Sequence, residues 1–506
     1  MDTGPLYLEP RLAPRLASLL GSAAFLHTLV DALGSPLNLL LPDQIAQNAE
    51  GFRAVYRRHR LGGQVFFAHK ANRSRSLVRR LTTADAAVDV ASTGELQHAL
   101  GSGVTADRIM ATGPKDPAFL WLAARSGATV NADGPGELES LAHLVRRHGL
   151  PRPKVLVRLS EFETSGPRTL SRRSRFGTSV KALAPLLDLL ERHRELLDPI
   201  GVAYHLDTTS PDEKAIALEG CLRAMDDLRL RGFLPRVVDV GGGFGVSYLA
   251  HAAQWDRYTS ELAAAVMGRR PPLTWGGHGY GLHAEGGTLR GALSLYPGHR
   301  PVAGAGYLDA LLSQPAPTLG RALGTLLLES LYDLYTEPGR ALADQCGLSL
   351  ARVLEVRRTD TGPALVRLAM NADDVALEDH GILMDPVLVP RAGESAGPRE
   401  PAGVHLMGNL CLEADLVTRR TVFLPRLPRP GDLLGFANTA GYCMDFGATH
   451  AQQQPLARKV AVRWSEDGDW RWCLDEEYWP VEEYGPVEEY GPVEEYGPIT
   501  DSGGRA

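Results

Sequence analysis

The stretch VFFAHKANRS (65–74) ends an apolar run with two basic side chains, His69 and Lys70. An apolar run of this length predicts a buried strand, and a lysine at its end is placed where a ligand can reach it. Such a lysine can contact a phosphate, pair with a charged substrate or form a Schiff base with an aldehyde. Lys70 alone does not distinguish these roles, so the other candidate site residues must be considered with it.

Two further stretches carry groups that suit a phosphorylated ligand. In VVDVGGGFG (237–245), three successive glycines let backbone N–H groups approach a phosphate; they are Gly241, Gly242 and Gly243. In TEPGRAL (336–342), the Glu337 carboxylate can hold a protonated ring nitrogen and the Arg340 guanidinium can neutralise a phosphate. A glycine-rich turn by itself is a weak signal.

The elements that must position these residues recur along the chain. Eight apolar runs, each ending in a polar or glycine signal and separated by helix-like segments, lie between about 65 and 340: VFFAHK, AVDVAS, RIMATG, ATVNAD, KVLVRL, GVAYHL, VVDVGGG and LLLESLYDLYTEPG. This pattern predicts an α/β fold, a (β/α)8 TIM barrel followed by an all-β domain. Chemistry in such a barrel lies at the carboxyl ends of the strands, where the chain places Lys70, Asp89, Arg158, His205, Gly241, Gly242, Gly243 and Glu337.

Changes in pattern predict the domain boundaries. Residues 37–346 form the barrel, with an insertion at about 250–324 that includes TWGGHGYGLHAEGG (274–287) and covers the barrel mouth. From residue 347 to 474, alternating strands with Gly/Pro turns predict the β-domain, and residues 1–36 are expected to pack beside it.

The end of the chain, 475–506, is an acidic repeat tail in which VEEYGP occurs three times, at 481–486, 487–492 and 493–498. Such a composition cannot bury a core and predicts disorder. The tail could be a solubilising extension, a partner-docking segment or a peptide that is itself modified by an enzyme, and the sequence leaves these roles open.

Charge, hydropathy and cysteine content exclude several classes of function. The net charge of −7 comes from the tail, whose ten acidic residues and one arginine leave the body at about +2, so nothing favours nucleic acid. The apolar segment 16–33 is broken by His27 and Asp31 and predicts a packed amphipathic helix, not a signal peptide or a membrane span. Five scattered cysteines suggest neither disulfides nor zinc, which fits a cytoplasmic protein. His278, His283 and Glu285 lack convincing metal-ligand spacing.

In family order, eight stretches resemble motifs of the fold type III pyridoxal-phosphate-dependent decarboxylases, which include the ornithine, arginine and diaminopimelate decarboxylases. EPGR (337–340) is identical to the family motif, DVGGGFG (239–245) matches closely, and FFAHKAN (66–72) is similar to Tyr-Ala-Val-Lys-Ala-Asn. The other five are DVASTGEL (89–96), SRFGT (174–178), YHLDT (204–208), GNLCLEAD (408–415) and TAGYCMDF (439–446). The resemblance extends from about residue 36 to 465, and it implies that the barrel is alanine racemase-like.

The resemblance implies a role for each matching residue. Lys70 would form the Schiff base with pyridoxal 5'-phosphate, His205 would stack on the pyridine ring and Glu337 would pair with its nitrogen. Arg158 would lie near the phenolate oxygen and Asp89 near the lysine. The phosphate would be held by Gly241, Gly242, Gly243, Arg340 and Tyr442. Cys411, Leu412 and Asp415 would face the substrate from the partner subunit of a head-to-tail homodimer, with Cys411 as the proton donor to Cα.

These roles predict an amino-acid decarboxylase that acts through a Schiff base and a quinonoid, on a substrate that is free or bound to a carrier or peptide. The alternatives are an amino-acid racemase or epimerase on the same fold, and a catalytically inactive regulatory homologue. Ornithine and diaminopimelate decarboxylases carry an acidic residue after the cysteine, where this chain has Leu412. A distal ammonium would lose its charge partner there, so neither ornithine nor diaminopimelate is predicted as the substrate.

Overall fold

The computed structural model describes residues 4–162, 174–206, 208–360, 362–391 and 400–480. The α-helices are α1 Pro14–Gly21, α2 Ala23–Leu33, α3 Pro42–His59, α4 Arg75–Thr82, α5 Thr93–Gly101, α6 Pro117–Ser126, α7 Pro135–His148, α8 Leu183–Arg192, α9 Pro211–Leu230, α10 Ala252–Val266, α11 Gly304–Ser313, α12 Leu323–Glu329 and α13 Gly339–Leu342.

The strands are β1 Leu37–Leu40, β2 Gly63–Ala68, β3 Ala87–Val90, β4 Ile109–Ala111, β5 Thr129–Ala132, β6 Lys154–Ser160, β7 Thr178–Ser179, β8 Asp198–Tyr204, β9 Val237–Asp239, β10 Leu282–Glu285, β11 Thr288–Gly291, β12 Asp333–Thr336, β13 Gly347–Arg357, β14 Ala364–Leu368, β15 Val387–Val389, β16 Ala402–Met407, β17 Val422–Leu424, β18 Leu433–Ala437, β19 Arg458–Trp464 and β20 Trp470–Leu474.

Eight parallel strands form the closed barrel. Their order is β2, β3, β4, β5, β6, β8, β9 and β12, and both the β5–β6 and the β12–β2 pairings are present, so the sheet closes. The strands are almost entirely buried because the barrel interior lies on one face and the helices on the other. The predicted (β/α)8 fold is confirmed, and the carboxyl ends of all eight strands meet at one mouth.

Local sequence fixes where the barrel helices begin and end. Ser92, Asp116 and Ser210 cap α5, α6 and α9 by accepting a backbone N–H with the side chain. Gly127 and Gly149 end α6 and α7 in the left-handed conformation, where a side chain would be strained. These caps hold each helix in register with the strand that follows it.

The second domain is a sheet in the order β17-β16-β14-β13-β1-β19-β20, with β18 pairing both β13 and β15. Strand β1 lies in this sheet between β13 and β19, although residue 37 is where the sequence pattern starts the barrel. Helices α1 and α2 pack against the same domain, where the His27 ring contacts the Val389 backbone and the Phe25 ring stacks on Trp470. The N-terminal segment thus contributes to the sheet domain.

The connection from β9 to β12 contains the predicted insertion. Its hairpin, β10–β11, forms a separate two-stranded sheet, whereas α11 and α12 pack on barrel helices α3 and α9. The segment between the hairpin and α11 runs over the barrel mouth, and there Tyr296 and Arg300 line the cavity described below.

The first residues of the predicted tail pack on the barrel. The Asp475 carboxylate accepts the backbone N–H groups of Arg75 and Ser76 at the start of α4, and the Arg79 guanidinium lies 3.6 Å from the centre of the Trp479 ring. The VEEYGP repeats lie outside the described residues. Among the described helices, none is by itself long and apolar enough to cross a membrane; α1 and α2 pass that test only as a pair, bent by 73°.

A buried ion pair joins the N-terminal segment to the sheet domain. Arg420 Nη2 lies 2.7 Å from Asp385 Oδ1, and the other oxygen of Asp385 accepts the Leu8 N–H at 2.7 Å. The Arg420 side chain is fully enclosed, and the Asp385 side chain is 6% exposed. Because removing one member of such a pair leaves an uncompensated buried charge, this contact should be important for stability.

Replacing Arg420 by methionine is therefore expected to lower the free energy of unfolding by about 3–5 kcal/mol, since Asp385 loses its only close cation among the described residues. Urea denaturation of the full-length protein measures this change. Arg471→Met, at the exposed ion pair with Asp467, is the control and should cost under about 1 kcal/mol. Equal effects of the two substitutions would contradict the importance of the buried pair.

Candidate active site

Lys70 follows β2 on a single helical turn, His69–Ala71, and lines a cavity of about 770 Å³. The turn is held in place because the Tyr442 N–H donates to the Ala71 carbonyl at 2.8 Å. Burial alone lowers the pKa of Lys70, but the nearby Asp89, Tyr442 and Glu337 outweigh it and raise the pKa. The lysine is therefore held as an ammonium among acidic groups.

Three buried carboxyl groups influence one another beside this lysine. Asp89 lies one residue before the end of β3 and accepts a hydrogen bond from Thr112 Oγ1 at 2.6 Å, and Asp239 ends β9 and accepts the Gly241 N–H at 2.8 Å. Burial, together with the charge of Glu337, raises the pKa of both aspartates well above the usual range. Each carboxylate in the cluster therefore disfavours the ionisation of the other two.

Glu337 follows β12 and is ionised in spite of its burial. Burial alone raises its pKa, but the contact with His205 and the charges of Lys70 and Arg158 outweigh that effect and lower the pKa to about 2. His205 Nδ1 lies 3.2 Å from Glu337 Oε2. Burial lowers the pKa of His205, which favours the neutral ring. The same Nδ1 also lies 3.2 Å from the Gly242 nitrogen and accepts its N–H, so this ring contacts both the carboxylate and the glycine loop.

The glycines after β9 are required by close backbone packing. Gly241 and Gly243 have φ of 62° and 81°, values that favour glycine. A Cβ at Gly242 would lie 2.8 Å from the Glu337 carbonyl oxygen, and one at Gly243 would lie 2.8 Å from the Thr208 carbonyl oxygen. Side chains are therefore excluded, and the backbone itself forms the cavity wall.

This loop presents backbone donors that are still free to bind an anion. Among the described residues, no acceptor is found for the N–H groups of Gly243, Phe244 and Gly245, and all three residues line the cavity. Backbone N–H groups enclosed in a protein are almost always paired. Successive unpaired donors of this kind fit a phosphate.

Arg340 and Tyr442 stand at the same end of the cavity. Arg340 Nη1 donates to the Tyr248 hydroxyl at 2.6 Å, and the Arg340 guanidinium lies 5.1 Å from the centre of the Tyr442 ring. Burial lowers the pKa of Arg340, but the surrounding tyrosines and Cys443 raise it by more than burial lowers it. The guanidinium is therefore always charged. Its charge suits the anion that the glycine loop can bind.

Arg158 lies two residues before the end of β6 and forms an ion pair with Asp133, with Nη1 and Oδ1 separated by 3.2 Å. Its guanidinium also lies 4.9 Å from the centre of the Phe176 ring. Arg158 does not line the cavity, although its charge influences both Lys70 and Glu337. The structure therefore places it beside the predicted site and not in direct contact with the cavity.

The residues predicted to reach the substrate from a second subunit do not line the cavity of their own chain. Cys411 is exposed, and Leu412 is 57% exposed. Asp415 is buried, and its carboxylate accepts the N–H groups of Ala372 at 2.8 Å and Leu410 at 2.7 Å. Asp415 thus holds the loop that carries Cys411, and the thiol faces outward.

Sequence reasoning missed four residues in or beside the site. They are Asp239, although it lies inside the DVGGGFG motif, Lys214 on α9, and Tyr296 and Arg300 from the insertion. The signal for Lys214 is a charge in a helix whose buried residues are, apart from Glu219, apolar. His278 and His283 remain outside the cavity, and no cluster that could hold a metal occurs in the described parts of the chain.

The closed barrel, the lysine at its mouth and the free donors of the glycine loop define an enzyme of the alanine racemase fold that binds pyridoxal phosphate. Residues 43–289 match the family model described as "pyridoxal-dependent decarboxylase, pyridoxal binding domain". An uncharacterised protein of Sinorhizobium fredii, y4yA, is 30% identical over 443 residues, which cover 85% of this chain and 88% of that protein.

Two further comparisons agree. Ornithine decarboxylase of Schizosaccharomyces pombe is 32% identical over 185 residues, which cover 36% of this chain but only 41% of that enzyme. The structure of diaminopimelate decarboxylase from M. jannaschii with L-lysine aligns with a TM-score of 0.66 at 18% identity, over 89% of this chain and 91% of that one. The chain belongs to the pyridoxal-phosphate-dependent decarboxylase family.

The described residues fit the family's cofactor. The free donors of the glycine loop and Arg340 suit its phosphate, Lys70 suits its aldehyde, and the ionised Glu337 suits a protonated ring nitrogen. The individual roles of these residues stay predictions, because the family comparison supports the cofactor and not each contact.

Lys214 is a fully enclosed cation directly behind the glycine loop. Its Nζ donates to the Gly242 carbonyl and lies 4.6 Å from the centre of the Phe244 ring. Burial lowers its pKa to about 7. In the unfolded chain this lysine stays protonated until about pH 10, so between about pH 7 and 10 folding releases a proton and stability should rise with pH.

Lys214→Met is expected to remove this pH dependence. Between pH 7.5 and 9, the wild-type protein should gain about 2 kcal/mol of unfolding free energy relative to the variant, since each pKa unit corresponds to about 1.4 kcal/mol. Urea denaturation at the two pH values measures the gain. Lys154→Met, at an exposed lysine, is the matched control, and a Lys214 variant with the wild-type pH slope would show that the buried lysine does not titrate in this range.

Proposed function

We propose that this enzyme decarboxylates an L-amino acid or a similar substrate whose side chain has no terminal ammonium group. The observation that carries the proposal is the ionised Glu337 carboxylate, buried in the same cavity as Lys70 and the free donors of the glycine loop. Pyridoxal phosphate, when bound, supplies an electron sink for the electrons released at the α-carbon. The residues of the chain would bind the cofactor, orient the substrate and return a proton to the α-carbon.

Glu337 would determine how strong the sink is. Its pKa of about 2 keeps the carboxylate ionised throughout the physiological range, so it can hold a proton on the ring nitrogen. His205, whose Nδ1 lies 3.2 Å from Glu337, would lie against the ring face. Racemases of this barrel type resemble the chain less, because they have an arginine in place of this glutamate, and this difference supports carboxylate loss over racemisation.

Cys411 of the partner subunit would return a proton to the α-carbon. The thiol is exposed in its own chain, on a loop that Asp415 fixes through two backbone N–H groups. A thiol can donate a proton near neutral pH when its surroundings favour this. A homodimer in which each subunit completes the other's cavity would give this exposed cysteine a role.

The carboxylates around the cavity support a substrate without a distal ammonium. Besides Glu337, the acidic residue that lines the cavity is Asp379, which already pairs with Arg419 at 3.4 Å. Leu412, at the position after the cysteine, offers no charge. A terminal ammonium would therefore be desolvated without an unpaired partner among the described residues, which disfavours its binding.

The proposal is tested with a panel of L-amino acids, by measuring CO₂ release and solvent deuterium incorporation at Cα. A decarboxylase gives one CO₂ per amine formed, whereas a racemase gives deuterium exchange with the carboxylate retained. Lys70→Ala is expected to abolish both CO₂ release and the visible absorbance of the bound cofactor, because no other lysine lines the cavity in the described chain. Release of CO₂ by Lys70→Ala at the wild-type rate would refute the proposal.

Cys411→Ala should leave cofactor absorbance and carboxylate loss in place but reduce correct amine formation and raise side products of misplaced protonation. Product analysis by mass spectrometry measures this partition. Mixing Cys411→Ala with Lys70→Ala subunits should restore about a quarter of the wild-type amine formation, because half of the dimers are mixed and each holds one unaltered site. An unchanged product ratio in Cys411→Ala rules out the thiol as the donor.

A further inference from the structure

The insertion places a second arginine at the end of the cavity where Arg340 lies. The Arg300 guanidinium is 4.7 Å from the centre of the Tyr296 ring, and the Arg340 guanidinium is 5.2 Å from the centre of that same ring. Both arginines line the cavity. One aromatic ring of the insertion therefore positions two guanidinium groups beside the glycine loop.

The Arg300 guanidinium has no acidic partner among the residues that the structure describes. No carboxylate of those residues lies within 4 Å of it, and its buried Nε has no hydrogen-bond acceptor there. Its one side-chain hydrogen bond runs from Nη1 to Thr209 Oγ1 at 3.2 Å. A partly buried cation without a counter-charge is unfavourable, so its placement favours an anionic ligand.

Contacts with the glycine loop indicate which anion this is. A Cβ at Gly245 would lie 2.9 Å from Arg300 Cδ and 3.0 Å from Nε, so the guanidinium packs directly on the loop whose N–H groups are free. The Tyr296 hydroxyl accepts the Val246 N–H at 2.8 Å, which fixes the next residue of the loop. The insertion thus contacts the segment that suits the cofactor phosphate.

We propose that Arg300 is a second guanidinium ligand of the cofactor phosphate, supplied by the insertion and positioned by Tyr296. This inference rests on the proposed function, since it requires that the phosphate lie on the glycine loop. The insertion would then be a part of the cofactor site and not only a cover over the barrel mouth. A substrate carboxylate is the other anion that Arg300 could meet, and the experiment separates the two.

The test compares the dissociation constants of pyridoxal phosphate and pyridoxal for the full-length protein, measured by visible absorbance after the cofactor has been removed. Both ligands react with Lys70, so the ratio of their constants isolates the phosphate. Arg300→Met is expected to raise the dissociation constant of pyridoxal phosphate roughly ten- to a hundredfold, as loss of a charge-assisted hydrogen bond predicts. The dissociation constant of pyridoxal should not change. Arg300→Lys should recover part of the loss because it keeps the charge.

Arg290→Met is the matched control, because Arg290 lies on the exposed hairpin of the same insertion and does not line the cavity. Retained pyridoxal binding shows that the Arg300 variants are folded. If Arg300→Met binds pyridoxal phosphate as tightly as the wild type, the inference is wrong, and a raised KM alone would assign Arg300 to the substrate. A wild-type protein that binds neither ligand would instead refute the proposed function.

Discussion

The site is organised around one buried negative charge, the ionised carboxylate of Glu337. Burial opposes this charge, and the protein offsets the opposition with Lys70, Arg158 and the contact with His205. The neighbouring aspartates oppose this charge, because like charges in an enclosed space raise one another's pKa. Burial and the charge of Glu337 accordingly raise the pKa of both Asp89 and Asp239.

The cavity also contains groups of the opposite polarity. The N–H groups of the glycine loop and the guanidinium groups of Arg340 and Arg300 favour an anion, while Glu337 supplies a negative charge. The cavity thus offers both kinds of group, which suits a ligand that carries a phosphate and a protonated nitrogen. Lys214, behind the loop, donates to the Gly242 carbonyl and so fixes the orientation of that peptide.

Much of the barrel could be predicted from sequence because each of its strands is marked by a short apolar run of consecutive residues. Each of the eight apolar runs contains a barrel strand, since a strand buried on both faces reads as a continuous apolar run. The last run, LLLESLYDLYTEPG, was predicted too long, because its LLLE belongs to α12 and only DLYT forms β12. Strand β1 could not be assigned in this way, because its partners β13 and β19 lie about 310 and 420 residues further along the chain. Its four residues, LNLL, carry no signal that distinguishes one sheet from the other.

The same distinction applies to the site. Lys70, Glu337 and the glycines belong to short motifs whose spacing is visible in the sequence, whereas Arg300 lies in the insertion and reaches the cavity only through tertiary packing on Gly245. Lys214 could have been noticed as a lysine among apolar residues, but its contact with Gly242 follows from the barrel geometry.

The exposed Cys411 indicates that the two domains supply different parts of the proposed site. The barrel encloses the cavity, while the sheet domain holds the cysteine loop rigid through the buried Asp415 and leaves the thiol outside its own cavity. The exposed Cys411 and Leu412 side chains add little to the stability of their own chain, because neither is buried there. The ordering of their loop is more readily explained by a contact with a second copy, in which the same two side chains would be removed from water.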